Sequence, residues 1–153
     1  MRQDPGFDVN MKLDGEGWTL LHSACFDGER SVIPLLLAHP DIDVNVKNRR
    51  GFTPFFFACN GHISCVREML KDFRVKLNEP CKGGYTPLWR VARHGHLEVI
   101  KSWIASGREM DLGKPGDVHR TDAIGAAKKE GKTQVVTLLE IFKEKPVETR
   151  HMT

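Results

Sequence analysis

The sequence predicts an all-α array of short helix pairs stacked in a row. Three observations predict it. The chain copies itself: Gly17-Trp18-Thr19-Leu20-Leu21, Gly51-Phe52-Thr53-Pro54-Phe55 and Gly84-Tyr85-Thr86-Pro87-Leu88 open successive units, and Thr19, Thr53 and Thr86 lie 34 and 33 residues apart. Each opening leads into an apolar stretch, a glycine break and a second apolar stretch, such as Leu97, Ile100, Trp103 and Ile104 at helical spacing. The segments so marked are shorter than the roughly 12–15 residues an isolated helix needs in water. Their apolar faces need neighbours, and the copies supply them.

In the third unit, which shows the signals most clearly, Thr86 can cap free backbone N–H groups. Pro87 suits a first helical position because its missing N–H costs nothing there. His94-Gly95-His96 ends the first helix, since glycine tolerates the left-handed cap conformation, and Gly107 ends the second. The second halves also repeat: Val32-Ile33-Pro34-Leu35-Leu36-Leu37, Cys65-Val66-Arg67-Glu68-Met69-Leu70 and Val99-Ile100-Lys101-Ser102-Trp103-Ile104. A more polar fourth copy runs from Thr121-Asp122-Ala123-Ile124 through Gly131 to Val135-Val136-Thr137-Leu138-Leu139. A period near 33 with the Gly-x-Thr-Pro-Leu opening resembles the ankyrin repeat. The resemblance covers roughly Phe7 to Lys145. It implies a solenoid of four helix-turn-helix pairs joined by hairpin-like loops, and a protein-binding function through the concave face without catalysis.

The totals agree. A chain of 153 residues, 40% hydrophobic and 28% charged, is ordinary for one soluble domain. A net charge of +3, from 23 basic and 20 acidic residues, is too mild to argue nucleic acid by itself. No apolar run approaches the roughly 20 residues of a membrane span, and Met1-Arg2-Gln3-Asp4-Pro5-Gly6 is no apolar signal segment. Four cysteines without a dense framework point to a reducing compartment: the cytoplasm, with the nucleus as the alternative. A monomer is expected.

In order along the chain, residues 1–17 contain Asp8-Val9-Asn10-Met11-Lys12, which parallels Asp43-Val44-Asn45-Val46-Lys47 at the end of the first repeat. This opening is either the tail of a preceding repeat, the chain then being a piece of a larger protein, or an arm that covers the first repeat. Repeats are expected at 18–47, 48–80 and 81–117, a degenerate capping repeat at 118–145, and a loose tail at 146–153. Helices are expected at about 20–26 and 31–38, 54–59 and 62–72, 87–94 and 97–106, and 122–129 and 133–143. Pro34 is tolerable if Ser31 caps a helix starting at Val32, because Pro34 then falls in the first turn, where N–H groups lack intrahelical partners. The second repeat is one residue short between its helices, with Asn60-Gly61 where the others have two residues before glycine. The loop Gly113-Lys114-Pro115-Gly116-Asp117 is long and turn-rich, and Lys145-Pro146 stops the last helix. Leu36, Met69, Trp103 and Leu138 are expected in the buried stack of second helices.

Several constellations have a bland reading. Cys59, His62 and Cys65, with Cys81 further on, have metal-ligand spacing. In the repeat register, however, Cys59 fills the small-residue place of Cys25 and Ala92, Cys65 that of Val32 and Val99, and Cys81 lies a helix length away. No metal and no cofactor is expected. Cys25 and Cys59, in stacked units, should be separated by about a helix-packing distance and stay small buried thiols. Gly131-Lys132-Thr133 ends like a phosphate loop but lacks its first glycine and its strand. His22 matches the histidine of the family's Thr-Pro-Leu-His motif, which implies a structural role; Phe56, Trp89 and Gly125 replace it elsewhere. No nucleophile stands with a base and an orienting group, so no catalytic residue is assigned. Around Asn45, the spacing of Leu37, Asp43 and Val44 resembles the ankyrin site that an asparaginyl hydroxylase modifies, but the preferred reading is a loop asparagine that bonds its own turn.

One row is expected to carry function, the alternative being that its rings pack on neighbouring hairpins and stiffen the array. The residue before each repeat threonine is Trp18, then Phe52, then Tyr85. In ankyrin arrays this position lies near the hairpin tip, on the concave face, and aromatic side chains supply much of the energy at interfaces. Arg49, Arg50, Lys82, Arg90, Arg93 and His94 surround the row by the same alignment, with Asp14, Glu16 and Asp27 at the first-repeat end. The expected partner is therefore another protein, with an acidic surface. Two rivals stand beside this reading: a nucleic-acid surface using the central arginines, and the regulatory segment of a larger enzyme.

Overall fold

The computed structural model describes residues 6–113 and 121–144. These contain eight α-helices and no strand: α1 (Leu20–Asp27), α2 (Ile33–Leu37), α3 (Pro54–Ala58), α4 (Ile63–Leu70), α5 (Pro87–His94), α6 (Leu97–Ser106), α7 (Ala123–Lys129) and α8 (Thr133–Glu144). The turn-rich loop beyond Gly113 and the stop at Lys145-Pro146 lie outside the described residues.

The first helix of each pair starts as its sequence dictates. Thr19, Thr53, Thr86 and Asp122 sit in extended backbone, and each side-chain oxygen accepts the N–H three residues on. Gly28 and Gly95 end α1 and α5 in the left-handed conformation. The one-residue deficit after Cys59 shows as a first helix of five residues in α3, against eight in α1 and α5.

The second helix of the first pair differs from expectation. Ser31 does not cap it; Val32 occupies the cap position in helical backbone without a side-chain hydrogen bond. The helix begins one residue later, and Val32 is exposed where its counterparts Cys65 and Val99 are buried, while Ile33 is buried like its counterparts Val66 and Ile100. Pro34 nevertheless lies in the first turn, where its missing donor is harmless.

Helices of one pair pack on each other, and the pairs stack. Among first helices α1 lies on α3 and α5 on α7; second helices form the row α2, α4, α6, α8. Between them runs a continuous core that includes Leu21, Ile33, Phe55, Val66, Leu88 and Ile100. Met69 and Trp103 are fully buried as expected. Leu36 and Leu138 are only half-buried. The inward stripe passes instead through Ile33 in the single turn of α2, and through Val135 and Leu139 in α8, leaving those two leucines at its edge.

The loops are joined across repeats by polar side chains. Asn10 Nδ2 donates to Asp41 O, and Asp43 N–H donates back to Asn10 Oδ1, both at 2.8 Å. Asn45 does the same one repeat on, with Arg74 O at 2.8 Å and Lys76 N–H at 2.7 Å, and Asn78 with Glu109 O and Asp111 N–H. Asn45 therefore bonds the next repeat's loop, not its own turn; that turn is closed by Asp43 Oδ1, which accepts Asn45 N–H. Arginines reach the other way. Arg74 Nη2 donates to Leu37 O at the end of α2, and Arg108 Nη1 to Leu70 O at the end of α4. Each supplies a donor to a terminal carbonyl that the helix itself cannot satisfy.

Two substitutions weigh the two kinds of contact. Trp103 is fully buried, lies edge-on to Phe55 and donates through Nε1 to Glu109 O. Trp103→Ala should cost about 3–5 kcal/mol of unfolding free energy. Asn45→Ala breaks two loop hydrogen bonds near the surface and should cost about 1 kcal/mol. Urea unfolding of both variants checks the order; an unchanged Trp103→Ala would show that α6 is out of register.

Candidate protein-binding face

The hairpin tips are built from main-chain bonds between units. Arg49 N–H donates to Glu16 O at 2.9 Å, and Lys82 N–H donates to Arg50 O at 3.0 Å. Within the second tip, Asn48 N–H donates to Phe52 O, and Asn48 Oδ1 accepts the N–H groups of Arg50 and Phe52. Gly51 makes this possible. Its φ is +81°, and a Cβ there would stand 2.7 Å from Lys82 N.

These tips set Trp18, Phe52 and Tyr85 one residue before the capping threonines, with all three rings half-buried. They do not stand apart from the fold. Phe26 lies edge-on to Trp18 at 5.1 Å, Trp18 stacks on Phe57 at 4.6 Å, Phe57 meets Phe52 at 5.5 Å, and Phe52 meets Phe56 at 4.7 Å. The series continues to Tyr85 at 5.9 Å and from there to Trp89 at 5.4 Å. One aromatic row thus crosses three repeats, with Phe56, Phe57 and Trp89 buried beneath its half-exposed members.

The sequence reading missed this lower layer. Phe56 and Trp89 were legible as replacements of the motif histidine, and the run Phe55-Phe56-Phe57 was a visible signal. Their place in the row follows from the caps: the third residue of the helix, His22, Phe56 or Trp89, folds back beside the ring just before the capping threonine.

His22 fills that position in the first repeat. Its Nδ1 accepts Thr19 N–H at 3.0 Å, so Nε2 carries the proton and donates to Phe52 O at 2.9 Å. The ring ties two repeats together. Burial of this neutral form holds its pKa below the usual histidine value, against the opposing pull of Phe52 O.

The cations flank the row unevenly. Arg90 lies 5.5 Å from the centre of the Phe56 ring and Arg93 5.5 Å from that of Trp89. Arg93 also pairs with Glu130 at 3.7 Å, Arg50 with Glu16 at 4.0 Å, and Arg49 Nη1 donates to Gly15 O. Lys82 and His94 are exposed. His94 sits 6.1 Å from His96; burial, then Arg90 and Arg93, lower its pKa. The nine residues Trp18, Arg49, Arg50, Phe52, Lys82, Tyr85, Arg90, Arg93 and His94 thus spread along the hairpin tips and first helices. Glu16 and Glu130 offset part of the basic charge.

Among the described residues, no group of three or more His, Cys, Asp or Glu side chains is placed to hold a metal ion. Cys25, Cys59, Cys65 and Cys81 are free and buried. Burial pushes the first three thiols above the usual thiol pKa, so they are not activated nucleophiles. No described helix is long and apolar enough to cross a membrane.

The family model for ankyrin repeats (3 copies) matches residues 3–79 and 21–113. The chain belongs to the ankyrin-repeat family. Ankyrin repeats are in general protein–protein interaction modules. The SMC5-SMC6 complex localization factor protein 1 of Homo sapiens is 36% identical over 102 residues, 63% of this chain and 9% of that protein. The human transient receptor potential cation channel subfamily A member 1 is 31% identical over 103 residues, 65% of this chain and 9% of the channel. Human Rabankyrin-5 is 46% identical over 50 residues, 33% of this chain and 4% of that protein. The chain thus matches less than a tenth of the length of these relatives, and their names describe unrelated tasks.

The His22 bond gives the ankyrin stack a pH dependence of defined sign. Its folded pKa is depressed below the roughly 6.5 of an unfolded chain, so the unfolded state takes up the proton first. The stabilisation is complete above about pH 6.5 and is lost as pH falls below it. Urea midpoints measured from pH 7.5 to 5 should fall with acidification, and His22→Leu should reduce that slope, leaving the part due to His94 and His96, while lowering stability throughout.

Proposed function

We propose that the chain is a protein-binding module whose hairpin and first-helix face grips a partner, with no chemistry of its own. The observation that carries this reading is the aromatic row across three repeats. Its buried members fix the half-exposed rings of Trp18, Phe52 and Tyr85, and a rigid aromatic surface loses little entropy on binding. Arg49, Arg50, Lys82, Arg90, Arg93 and His94 border the rings with donors, so the partner is a protein with acidic groups around an apolar patch. A nucleic-acid surface is less well supported: phosphate binding rests on many cationic contacts, and Glu16 and Glu130 already engage two of the arginines. We place the module in the cytoplasm, with the nucleus as the alternative, in keeping with its four free thiols, and as a monomer.

An affinity pull-down from the native cell supplies the partner, and binding kinetics of three variants test the face. Phe52→Ala and Tyr85→Ala should each weaken binding by about 2 kcal/mol, near thirtyfold. Arg49→Ala should mainly slow association, and salt should remove that effect. Thermal melts control for folding. Normal binding by both ring variants would leave the row purely structural, and unfolding of both would make the rings core.

A further inference from the structure

The second-helix side of the stack carries a feature that the aromatic row does not explain. An open groove of about 660 Å³ lies across α4. Ser64, Arg67 and Glu68 line it from α4, Lys71 from the cap of that helix, Arg30 from the turn before α2, and Ser102 from α6. Three cations thus face one carboxylate, and Glu68 is taken by Lys71 at 3.1 Å. Arg30 and Arg67 have no carboxylate partner among the described residues. Arg67 Nε donates to Ser102 Oγ at 3.3 Å, which aims the guanidinium and leaves its two terminal nitrogens for a ligand.

At one end stands Phe73, 84% exposed, the most exposed of the large apolar side chains in the described residues. It borders this groove and also a neighbouring hollow of about 400 Å³ formed with Val75 to Glu79, Arg108 and Glu109. The Arg108 guanidinium lies 5.4 Å from its ring centre and is itself anchored on the carbonyls of Leu70, Asp72 and Val75. The ring is thus braced on one side and open on the other.

We propose that this groove is a second docking site, for an acidic peptide segment of a partner protein. A carboxylate would sit between Arg30 and Arg67, and an adjacent apolar side chain would rest on Phe73. Charge complementarity selects the occupant: two guanidiniums without a carboxylate partner call for anions, and the open ring in the same groove calls for an apolar group beside them. Glu68 in the lining selects among anions, because it repels a phosphate dianion more than single carboxylates.

The probe is a fluorescein-labelled synthetic peptide of alternating glutamate and leucine, read by fluorescence anisotropy at low salt. The full chain should bind it, and added salt should weaken binding. Arg30→Ala and Arg67→Ala should each weaken it about two- to fivefold. Phe73→Ala should also weaken it, and the double variant Arg30→Glu/Arg67→Glu should weaken it most, beyond tenfold. These side chains are exposed, so circular dichroism should be unchanged. Arg49→Glu/Arg50→Glu, on the hairpin tips, should remove only the share of binding that the aromatic face takes and leave the response to Arg30→Glu/Arg67→Glu unchanged, which separates the two sites. No binding, equal binding of the same peptide with glutamine in place of glutamate, or loss in the hairpin-tip variant instead would overturn the proposal. A phosphoserine-containing peptide or a labelled oligothymidine binding more than tenfold tighter would also overturn it, by giving the groove to phosphate.

Discussion

Burial of one helix pair against the next is the interaction on which the rest of this structure depends. The helices run from five residues in α2 and α3 to twelve in α8, at or below the length at which an isolated helix is marginal in water. None closes a core within its own pair. Stability therefore resides at the interfaces between pairs, as in other quasi-one-dimensional stacks. Fully buried Leu21, Phe55, Leu88 and Ala127 from first helices, and Ile33, Met69, Trp103 and Leu139 from second helices, form that chain of interfaces.

Short helices bring a second difficulty, because a larger share of their backbone groups lies at the ends. The stack answers it with the same neighbours. Threonine and aspartate caps serve the first helices from within each repeat, while Arg74 and Arg108 serve the carbonyl ends of the preceding second helices. The asparagines at 10, 45 and 78 join successive loops by paired donation and acceptance. Apolar burial holds the pairs together, and these polar bonds fix their register.

The proposed binding surfaces follow from what the stack leaves outside. One side shows rings braced by other rings, the other a groove of arginines and serines beside an exposed phenylalanine. The two sides differ because first and second helices use different positions to reach their neighbours. On the first-helix side the position four residues after the tip aromatic points back towards it, so Phe56 and Trp89 extend the row inward. On the second-helix side the polar positions of α4 and α6 face out together and gather charge.

The sequence by itself determined the family, the pairing of helices and most of their ends, because threonine, proline and glycine act on the backbone locally, whatever lies beyond. It also determined that Met69 and Trp103 are core, since both fall in the middle of helices with clear apolar spacing. It misjudged α2, starting it one residue early on a Ser31 cap, because only packing decides which first turn is used: Val32 takes the cap position exposed and Ile33 is buried. It assigned Leu36 and Leu138 to the core for the same reason: spacing gives a stripe, but the angle of that stripe is set by the neighbour. Asn45 looked like a turn residue because a local bond was all that spacing could suggest, whereas its partners lie 29 and 31 residues away. The second layer of the aromatic row, the pairing of Glu16 and Glu130 with its arginines, and the groove from Arg30 to Ser102 all join residues of different repeats. The tertiary structure alone decided them, because side chains far apart in sequence meet only once the pairs are stacked.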